Sequence, residues 1–282
     1  MDGGLLLDKP GGMTSNAALQ QARRAIGAKK AGHAGTLDPL ATGLLILLFG
    51  EATKLAGLLL DGDKEYIATL KLGERTTTAD AEGEVVERKD FSLGKLDEAI
   101  ARFTGDILQT PPMHSALKRD GVPLYKLARR GETVDRPARK VRISQLEALG
   151  CDGPLLRLRV RCSKGTYIRT LAEDIGVALG TVAHLAGLRR TASGSFRVED
   201  AVPLERVSRE AVLPLGALLD GMPRAELDTA AEARLRNGQA LQISGLEDGV
   251  CAVYGRDGAL IGLAYSDHDS LRAKRLININ KS

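Results

Sequence analysis

A twelve-residue segment from Gly32 to Gly43 gathers side chains that could do chemistry. It reads GHAGTLDPLATG and holds one carboxylate, one histidine, two hydroxyls and three glycines. The carboxylate belongs to Asp38, and the proline that follows disfavours helix at that position. A carboxylate on such an extended segment is exposed and oriented. That arrangement suits work at a carbon that develops positive charge, as the anomeric carbon does in glycoside cleavage. The alternative interpretation is an ordinary Asp-Pro turn before a core strand.

The apolar run after this segment predicts the element that holds it in place. Residues 44–49 are all leucine, isoleucine or phenylalanine and follow turn residues, which is typical of a buried strand. Reactive side chains are usually carried by loops on such rigid elements. Gly35 and Gly43 are expected to provide backbone conformations or close approaches that a Cβ atom would forbid.

Other patterns predict a mixture of strands and helices without strict alternation. Strands are expected at 5–7, from Tyr66 to Leu72 and at 156–162. Helices are expected after Thr14 or Ser15, lined by Ala18, Leu19, Ala22, Ala25 and Ile26 and ended by Gly27, and after Thr166. In the strand at 156–162 apolar residues alternate with arginines, which predicts an antiparallel sheet with one solvent face. The fold class is therefore α+β, with a mixed, mostly antiparallel sheet flanked by helices.

Composition and charge narrow the class of protein. The 282-residue chain has a formal net charge of +4, a modest excess that permits a polyanionic partner. Nine lysines and arginines face three acids between Lys118 and Arg142. A solvated surface segment is the alternative interpretation of that cluster. The three cysteines have no paired spacing, and we find no His/Cys metal-ligand set, phosphate-binding glycine loop, signal peptide or membrane-spanning run. We therefore expect a cytoplasmic protein without a metal.

The chain changes character near its C-terminus. Residues 203–223 are rich in leucine and proline, after which a short helix is expected from Asp228 or Thr229 to Asn237. Two strand-like runs, 250–254 and 259–265, are joined by Gly-Arg-Asp-Gly, a hairpin signal. These patterns predict a small β-rich module at 224–282 and a larger domain at 1–223.

A series of motifs in fixed order resembles the bacterial tRNA pseudouridine-55 synthases of the TruB family. The matching segments are DKPGGMTS at 8–15, GHAGTLDPLATG at 32–43, GEATK at 50–54, KEY at 64–66, QTPPMHSALK at 109–118, GTYIR at 165–169 and LRRT at 188–191. They span roughly residues 4 to 200, in the order that the family has them.

The resemblance implies a pseudouridine synthase fold with a PUA-like RNA-binding domain at 224–282 and a function without any cofactor or metal. It assigns Asp38 as the catalytic aspartate, Arg169 as its partner and Tyr66 as the active-site tyrosine. His33 is similar to the family residue that enters the RNA stack when the uridine is flipped out. The substrate-binding positions also include Tyr167 and Leu188, which line the base pocket, and Lys9, which contacts phosphate or braces the active-site loop.

The implied substrate is uridine in the T loop of tRNA. The T arm would be clamped by the basic segment 110–142, in which His114 stands where the family often has an aromatic residue. We expect a monomer that does not associate with membranes. Two alternatives stay open at this point: a non-catalytic tRNA-binding or tRNA-folding factor on the same scaffold, and a glycoside hydrolase. The hydrolase needs two acids, and the motifs show no second well-placed carboxylate.

Overall fold

The computed structural model describes residues 1–278 except 114, 116, 120, 129 and 133. The helices are α1 (Ser15–Ile26), α2 (Ala56–Asp61), α3 (Leu96–Phe103), α4 (Leu124–Ala128), α5 (Ile168–Ala178) and α6 (Thr229–Arg236). Short 3₁₀ helices lie at Gly50–Leu55, Val198–Asp200, Leu204–Arg206 and Leu215–Leu219. The strands are β1 (Gly3–Lys9), β2 (Ala31–Ala34), β3 (Thr42–Phe49), β4 (Lys64–Leu72), β5 (Glu74–Thr76), β6 (Val85–Arg88), β7 (Gly105–Gln109), β8 (Lys118–Arg119), β9 (Val122–Pro123), β10 (Arg139–Asp152), β11 (Leu155–Cys162), β12 (Ala183–Ser193), β13 (Phe196–Arg197), β14 (Val202–Pro203), β15 (Arg224–Leu227), β16 (Leu241–Gln242), β17 (Gly249–Gly255), β18 (Leu260–Asp267) and β19 (Ser270–Leu276).

Two sheets organise these elements. The larger has the order β14-β1-β3-β12-β4-β11-β10-β7, with β2 beside β3 and β13 beside β12. Its β1–β14 and β3–β12 pairs are parallel and its other pairs are antiparallel. The smaller sheet has the order β15-β17-β18-β19-β16. The α+β class and the mixed, mostly antiparallel sheet are confirmed.

The predicted strand after the Asp38 segment is β3, and it is buried on both faces. Alternate side chains belong to different apolar clusters, with Leu44, Ile46 and Leu48 on one face and Leu45, Leu47 and Phe49 on the other. Helix α1 covers the second face. It begins after Thr14, whose hydroxyl accepts the Ala17 amide, and ends at Gly27 in the left-handed conformation. Both ends agree with the sequence pattern, although Ala25, expected on the inner stripe, is exposed.

The arginine-bearing strand at 156–162 also behaves as predicted. Along β11 the side chains of Leu156, Leu158 and Val160 are fully buried, whereas Arg157 and Arg161 are exposed. The buried face packs against the inner side of α5. The helix cap differs from the prediction. Tyr167 is the residue before α5, and the Thr166 hydroxyl instead donates to the Ser163 carbonyl at 2.9 Å.

The smaller sheet shares a core with the larger one. Ala252, Leu260, Leu263 and Ile277 lie in one buried cluster with β1 and β3 side chains such as Leu6. Other apolar residues of the smaller sheet, including Leu241, form a second cluster inside it. The C-terminal β-rich part is therefore packed against the sheet that carries the Asp38 segment.

The helices in the described part of the chain are short. None of them is long and apolar enough to cross a bilayer.

Candidate active site

Asp38 lies in the connection between β2 and β3, and neighbouring segments hold that connection. The Ser15 hydroxyl donates to the Leu37 carbonyl at 2.9 Å and accepts the Leu37 amide at 2.8 Å. The Gly12 amide donates to the Pro39 carbonyl at 2.9 Å. Backbone groups on both sides of Asp38 are thus fixed by the first motif, so its carboxylate has a defined position.

The two glycines singled out in this segment adopt conformations that other residues avoid. Gly35 has φ of 93° and Gly43 has φ of 97°. A Cβ atom on Gly43 would lie 2.3 Å from the Arg190 carbonyl oxygen, and one on Gly35 would lie 3.2 Å from Arg190 Nη1. Both roles expected of the glycines, backbone freedom and close approach, are present here.

Arg169 is the ion-pair partner of Asp38. Its Nη2 atom lies 3.1 Å from Asp38 Oδ2. The Arg169 side chain is 8% exposed and the Asp38 side chain is 44% exposed. The guanidinium, in the first turn of α5, therefore supports the carboxylate from inside the protein and leaves it open to the cleft.

A second carboxylate, Asp80, also contacts Arg169. Its Oδ2 atom lies 3.5 Å from Arg169 Nη1, and its side chain is only 4% exposed. Asp80 Oδ1 accepts the Thr78 hydroxyl at 2.6 Å and the Glu82 amide at 3.1 Å. The guanidinium thus spans two aspartates, and Asp80 fixes its orientation.

Asp80 was missed by the sequence analysis, which found no second well-placed carboxylate. The structure corrects that expectation. The segment TTTADAEGE at 76–84 looked like a polar loop, but the turn after β5 folds Asp80 inward, with Ala79 at φ of 62°. An acid two residues after a hydroxyl in a tight turn was the available signal.

Glu82 adds a third acid at the rim. Partial desolvation raises the pKa of Glu82, and the charges of Asp80 and Asp38 raise it further. Arg169 and Lys9 act in the opposite direction.

Tyr66 lies near the start of β4, opposite Val160 of β11 and Arg190 of β12. It packs against two apolar clusters of the large sheet. Burial raises the pKa of Tyr66, and Asp38 adds to the increase, while Arg190 lowers it through charge and a side-chain hydrogen bond. The phenol therefore stays protonated at neutral pH.

Lys9 is completely buried. Its Nζ atom donates to the carbonyls of Pro10 at 2.8 Å, Met13 at 2.7 Å and Pro39 at 3.5 Å. Burial lowers the pKa of Lys9 to about 8, although Asp38 and Glu82 favour its charged form. These contacts favour the bracing role that the sequence left open over a phosphate contact.

His33 lies on β2, opposite Leu47 of β3, and not in the loop where the sequence placed it. It is partly buried, and burial followed by the charge of Arg190 lowers its pKa. The imidazole is thus neutral at physiological pH.

Tyr167 and Leu188 approach the site from two further elements. The Tyr167 amide donates to Gln109 Oε1 at 2.7 Å, and Gln109 Nε2 donates to the Tyr167 carbonyl at 3.1 Å. This reciprocal pair joins the start of α5 to the end of β7. Leu188 lies on β12 opposite Ala68 and packs beside Tyr66 in both clusters. All seven predicted site residues are described, and Asp38, Arg169 and Tyr66 are brought together.

The predicted RNA-clamping segment 110–142 is inserted between β7 and β10 and includes β8, β9 and α4. Arg130 is exposed, and Arg136 donates to the Pro111 carbonyl at 3.1 Å. His114 and Arg129 lie outside the described residues.

Comparisons with known proteins decide the family. Residues 23–168 match the TruB family pseudouridylate synthase (N terminal domain). Residues 169–219 match the tRNA pseudouridylate synthase B C-terminal domain, and 223–277 match Pseudouridine synthase II TruB, C-terminal. The chain is 51% identical over 296 residues to tRNA pseudouridine synthase B of Cupriavidus metallidurans, covering 98% of this chain and 94% of that protein. The same enzyme of Burkholderia mallei is 51% identical over 293 residues, covering 98% and 97%.

The chain belongs to the TruB family of pseudouridylate synthases. It is therefore an enzyme, an isomerase, and the non-catalytic and hydrolase alternatives are set aside.

Solved structures agree with the TruB fold. An H/ACA RNP bound to a substrate RNA containing 2′-deoxyuridine has a TM-score of 0.75 at 24% identity, covering 99% of this chain and 86% of that chain. An archaeal box H/ACA sRNP Nop10–Cbf5 complex has a TM-score of 0.73 at 26% identity, covering 97% and 85%.

One group of potential metal ligands exists in the described part of this TruB-family chain. Asp248, Asp267 and His268 lie together, all exposed, in the smaller sheet. Exposed acidic groups of this kind are common without an ion, and the isomerisation requires no metal.

Proposed function

We propose that this chain converts uridine to pseudouridine at position 55, in the T loop of tRNA, with Asp38 acting at the ribose of a flipped-out uridine. Isomerisation of tRNA uridine agrees with the family and with the names of its relatives. The position in the tRNA and the roles of the side chains are the new content.

The observation that carries the proposal is the asymmetric pair of Asp38 and Arg169. The guanidinium is buried and fixed between two aspartates, while the Asp38 carboxylate is open to the cleft. Such an arrangement orients one charged oxygen towards a bound substrate without a change in structure during the reaction.

The chemistry needs such a group. Isomerisation breaks the C1′–N1 bond, rotates the base and joins C1′ to C5; the C5 proton leaves and N1 takes up a proton. C1′ develops positive charge when the first bond breaks, as in glycoside cleavage. Asp38 supports this step as a nucleophile at C1′ or as a base at C2′.

The other predicted residues have roles that fit their positions. Tyr66 offers an aromatic face for the target base and a neutral phenol that donates a hydrogen bond to it. His33, neutral and partly buried on β2, fills the space that the flipped nucleotide leaves in the RNA stack. Tyr167 and Leu188 line the base pocket, and Lys9 braces the Asp38 loop through the Pro39 carbonyl.

Binding of the T arm is assigned to segment 110–142 and to the C-terminal sheet, which extends the contact along the tRNA as the predicted PUA-like domain. We further propose that the enzyme acts as a monomer in the cytoplasm, as the absence of paired cysteines in the sequence suggests.

The test uses a tRNA transcript carrying tritium at uridine C5, because isomerisation releases that tritium to water. Asp38→Asn should lower the single-turnover rate by on the order of a thousandfold or more with little change in tRNA affinity, since charge is removed and shape is kept. Asp61→Asn is a matched control. It breaks an exposed ion pair with Lys164, in which both side chains are over 60% exposed, and should leave the rate unchanged.

A second transcript tests the position. Replacing the T-loop uridine at position 55 by cytidine should abolish the tritium release that this enzyme causes. Release that persists would refute the T-loop assignment, and near-normal turnover by Asp38→Asn would refute the role of the aspartate.

A further inference from the structure

Arg190 is a buried charge that the proposed mechanism has not used. Its side chain is only 1% exposed. Burying a guanidinium is costly unless its charge is paired and its donors are satisfied.

The hydrogen bonds of Arg190 go to neutral groups. Nε donates to the Leu44 carbonyl at 2.7 Å and Nη2 donates to the Gly35 carbonyl at 3.1 Å. The Tyr66 phenol is a further partner. Within the described part of the chain, no acidic side chain forms an ion pair with Arg190. Its donors are therefore satisfied while its charge stays uncompensated.

The position of Arg190 in the sheet explains this choice of partners. On one side its backbone is in register with Tyr66 of β4, and on the other with Gly43 of β3. The strand that carries Tyr66 and the strand that follows Asp38 thus meet at this residue. Gly35 and Gly43 both approach Arg190 too closely to tolerate a Cβ without adjustment.

The charge of Arg190 also reaches neighbouring groups of the site. It lowers the pKa values of His33 and Lys9, after the larger effect of burial in each case.

The direction of the bond to Tyr66 follows from chemistry. A guanidinium has only donors, so the phenol oxygen must accept. The phenol proton then points away from Arg190, towards the other groups in the cleft.

We propose that Arg190 is a positioning residue, which fixes the Tyr66 phenol as a hydrogen-bond donor to the substrate base and clamps the Asp38 loop through the Gly35 carbonyl. The inference rests on the proposed function. The same geometry argues against Tyr66 acting as a phenolate base at C5.

A double-mutant cycle tests this assignment. Arg190→Lys keeps the charge but cannot reach all three acceptors, and it should lower the single-turnover rate of tritium release by about 10- to 100-fold with tRNA affinity within about threefold. In the Tyr66→Phe background, which lacks the phenol, the same substitution should cost less than about threefold more. Arg190→Met, which keeps the stem and removes the charge, should show the same coupling if the lysine variant folds poorly.

Arg189 provides the matched control on the same strand. Its guanidinium is paired with Asp8 at 3.0 and 2.7 Å, and among the described residues it makes no hydrogen bond to the Tyr66 phenol. Arg189→Lys should therefore have the same effect on the rate in either background.

The outcomes separate the hypotheses. A purely structural role for Arg190 gives rate reductions that multiply in the double variant and track a lower melting temperature, which would overturn the proposal. It also fails if Tyr66→Phe is as fast as the parent enzyme. Failure of the proposed function looks different, because the parent enzyme itself would then release no tritium.

Discussion

Asp80→Asn tests whether the second carboxylate on Arg169 contributes to catalysis. Asparagine keeps the size of the side chain, and its Oδ1 can still accept from the Thr78 hydroxyl and the Glu82 amide. Its NH₂ group, however, would face Arg169 Nη1, where the carboxylate oxygen now lies at 3.5 Å. The substitution therefore replaces an attraction by two opposed donors at this position.

The size of the effect follows from the burial of this ion pair. Both side chains are at most 8% exposed, so water does not replace the missing carboxylate oxygen. A hydrogen bond to a charged group contributes about 1.5–3 kcal/mol. Because the orientation of Asp38 depends on Arg169, we expect the rate of the chemical step to fall by about 10- to 100-fold.

The assay is single-turnover tritium release at saturating enzyme, with tRNA affinity and melting temperature measured in parallel. Glu87→Gln is the matched control on the neighbouring β5–β6 ribbon. Its ion pair with Arg75 is equally short, 2.8 Å, but the side chains are 46% and 42% exposed. Such exposed pairs contribute about 0–1 kcal/mol, so the control should have the parental rate.

A rate within about twofold of the parent for Asp80→Asn, in a folded protein, would show that Arg169 does not need its second partner. A decrease confined to tRNA affinity would equally refute the reasoning, because it would make Asp80 part of RNA binding.

Three further predictions concern packing, pH and RNA binding. Leu263→Ala should lower the free energy of unfolding by about 2–5 kcal/mol in urea titrations, because Leu263 is 3% exposed in the cluster that joins the two sheets; truncation after residue 223 should lower the melting temperature for the same reason, and an unchanged melting temperature would mark a separable domain. Because burial and Arg190 lower the pKa of His33, the unfolded chain takes up that proton first as the pH falls through about 6.5, so the parent should lose stability there more steeply than His33→Gln; parallel curves would contradict this shift. Neutralising Arg130 and Arg139 together should lower the log–log salt dependence of tRNA binding by roughly one for each phosphate that the variant no longer neutralises, and an unchanged slope would return the basic segment to a solvated surface.

Several features were predictable because they depend on neighbours in sequence. The apolar run at 44–49 could only be buried, and the alternation at 156–162 could only place its arginines on one face. Thr14 and Gly27 bound α1 through local hydrogen bonding and backbone conformation. The TruB motifs likewise pointed to Asp38, Tyr66 and Arg169 as one site, although their roles stay predictions.

The tertiary structure decided how the charged groups are buried and paired. Nothing local distinguishes Asp80 from other acids in its polar turn, since its role arises from its ion pair with Arg169 on a distant helix. Lys9 could equally have bound phosphate on sequence grounds, and only the folded chain buries it against three carbonyls. Arg190 donates to the carbonyl of Gly35, 155 positions earlier, because parallel pairing of β12 with β3 brings them together.

The docking of the C-terminal sheet has the same origin. Its sequence predicted the hairpin, but whether a leucine such as Leu263 faces its own module or the larger sheet depends on which surface covers it. Local sequence fixes backbone conformation and the faces of each element through short-range sterics and hydrogen bonds. Which charges meet, and which apolar faces are covered, is determined by long-range packing that no single segment contains.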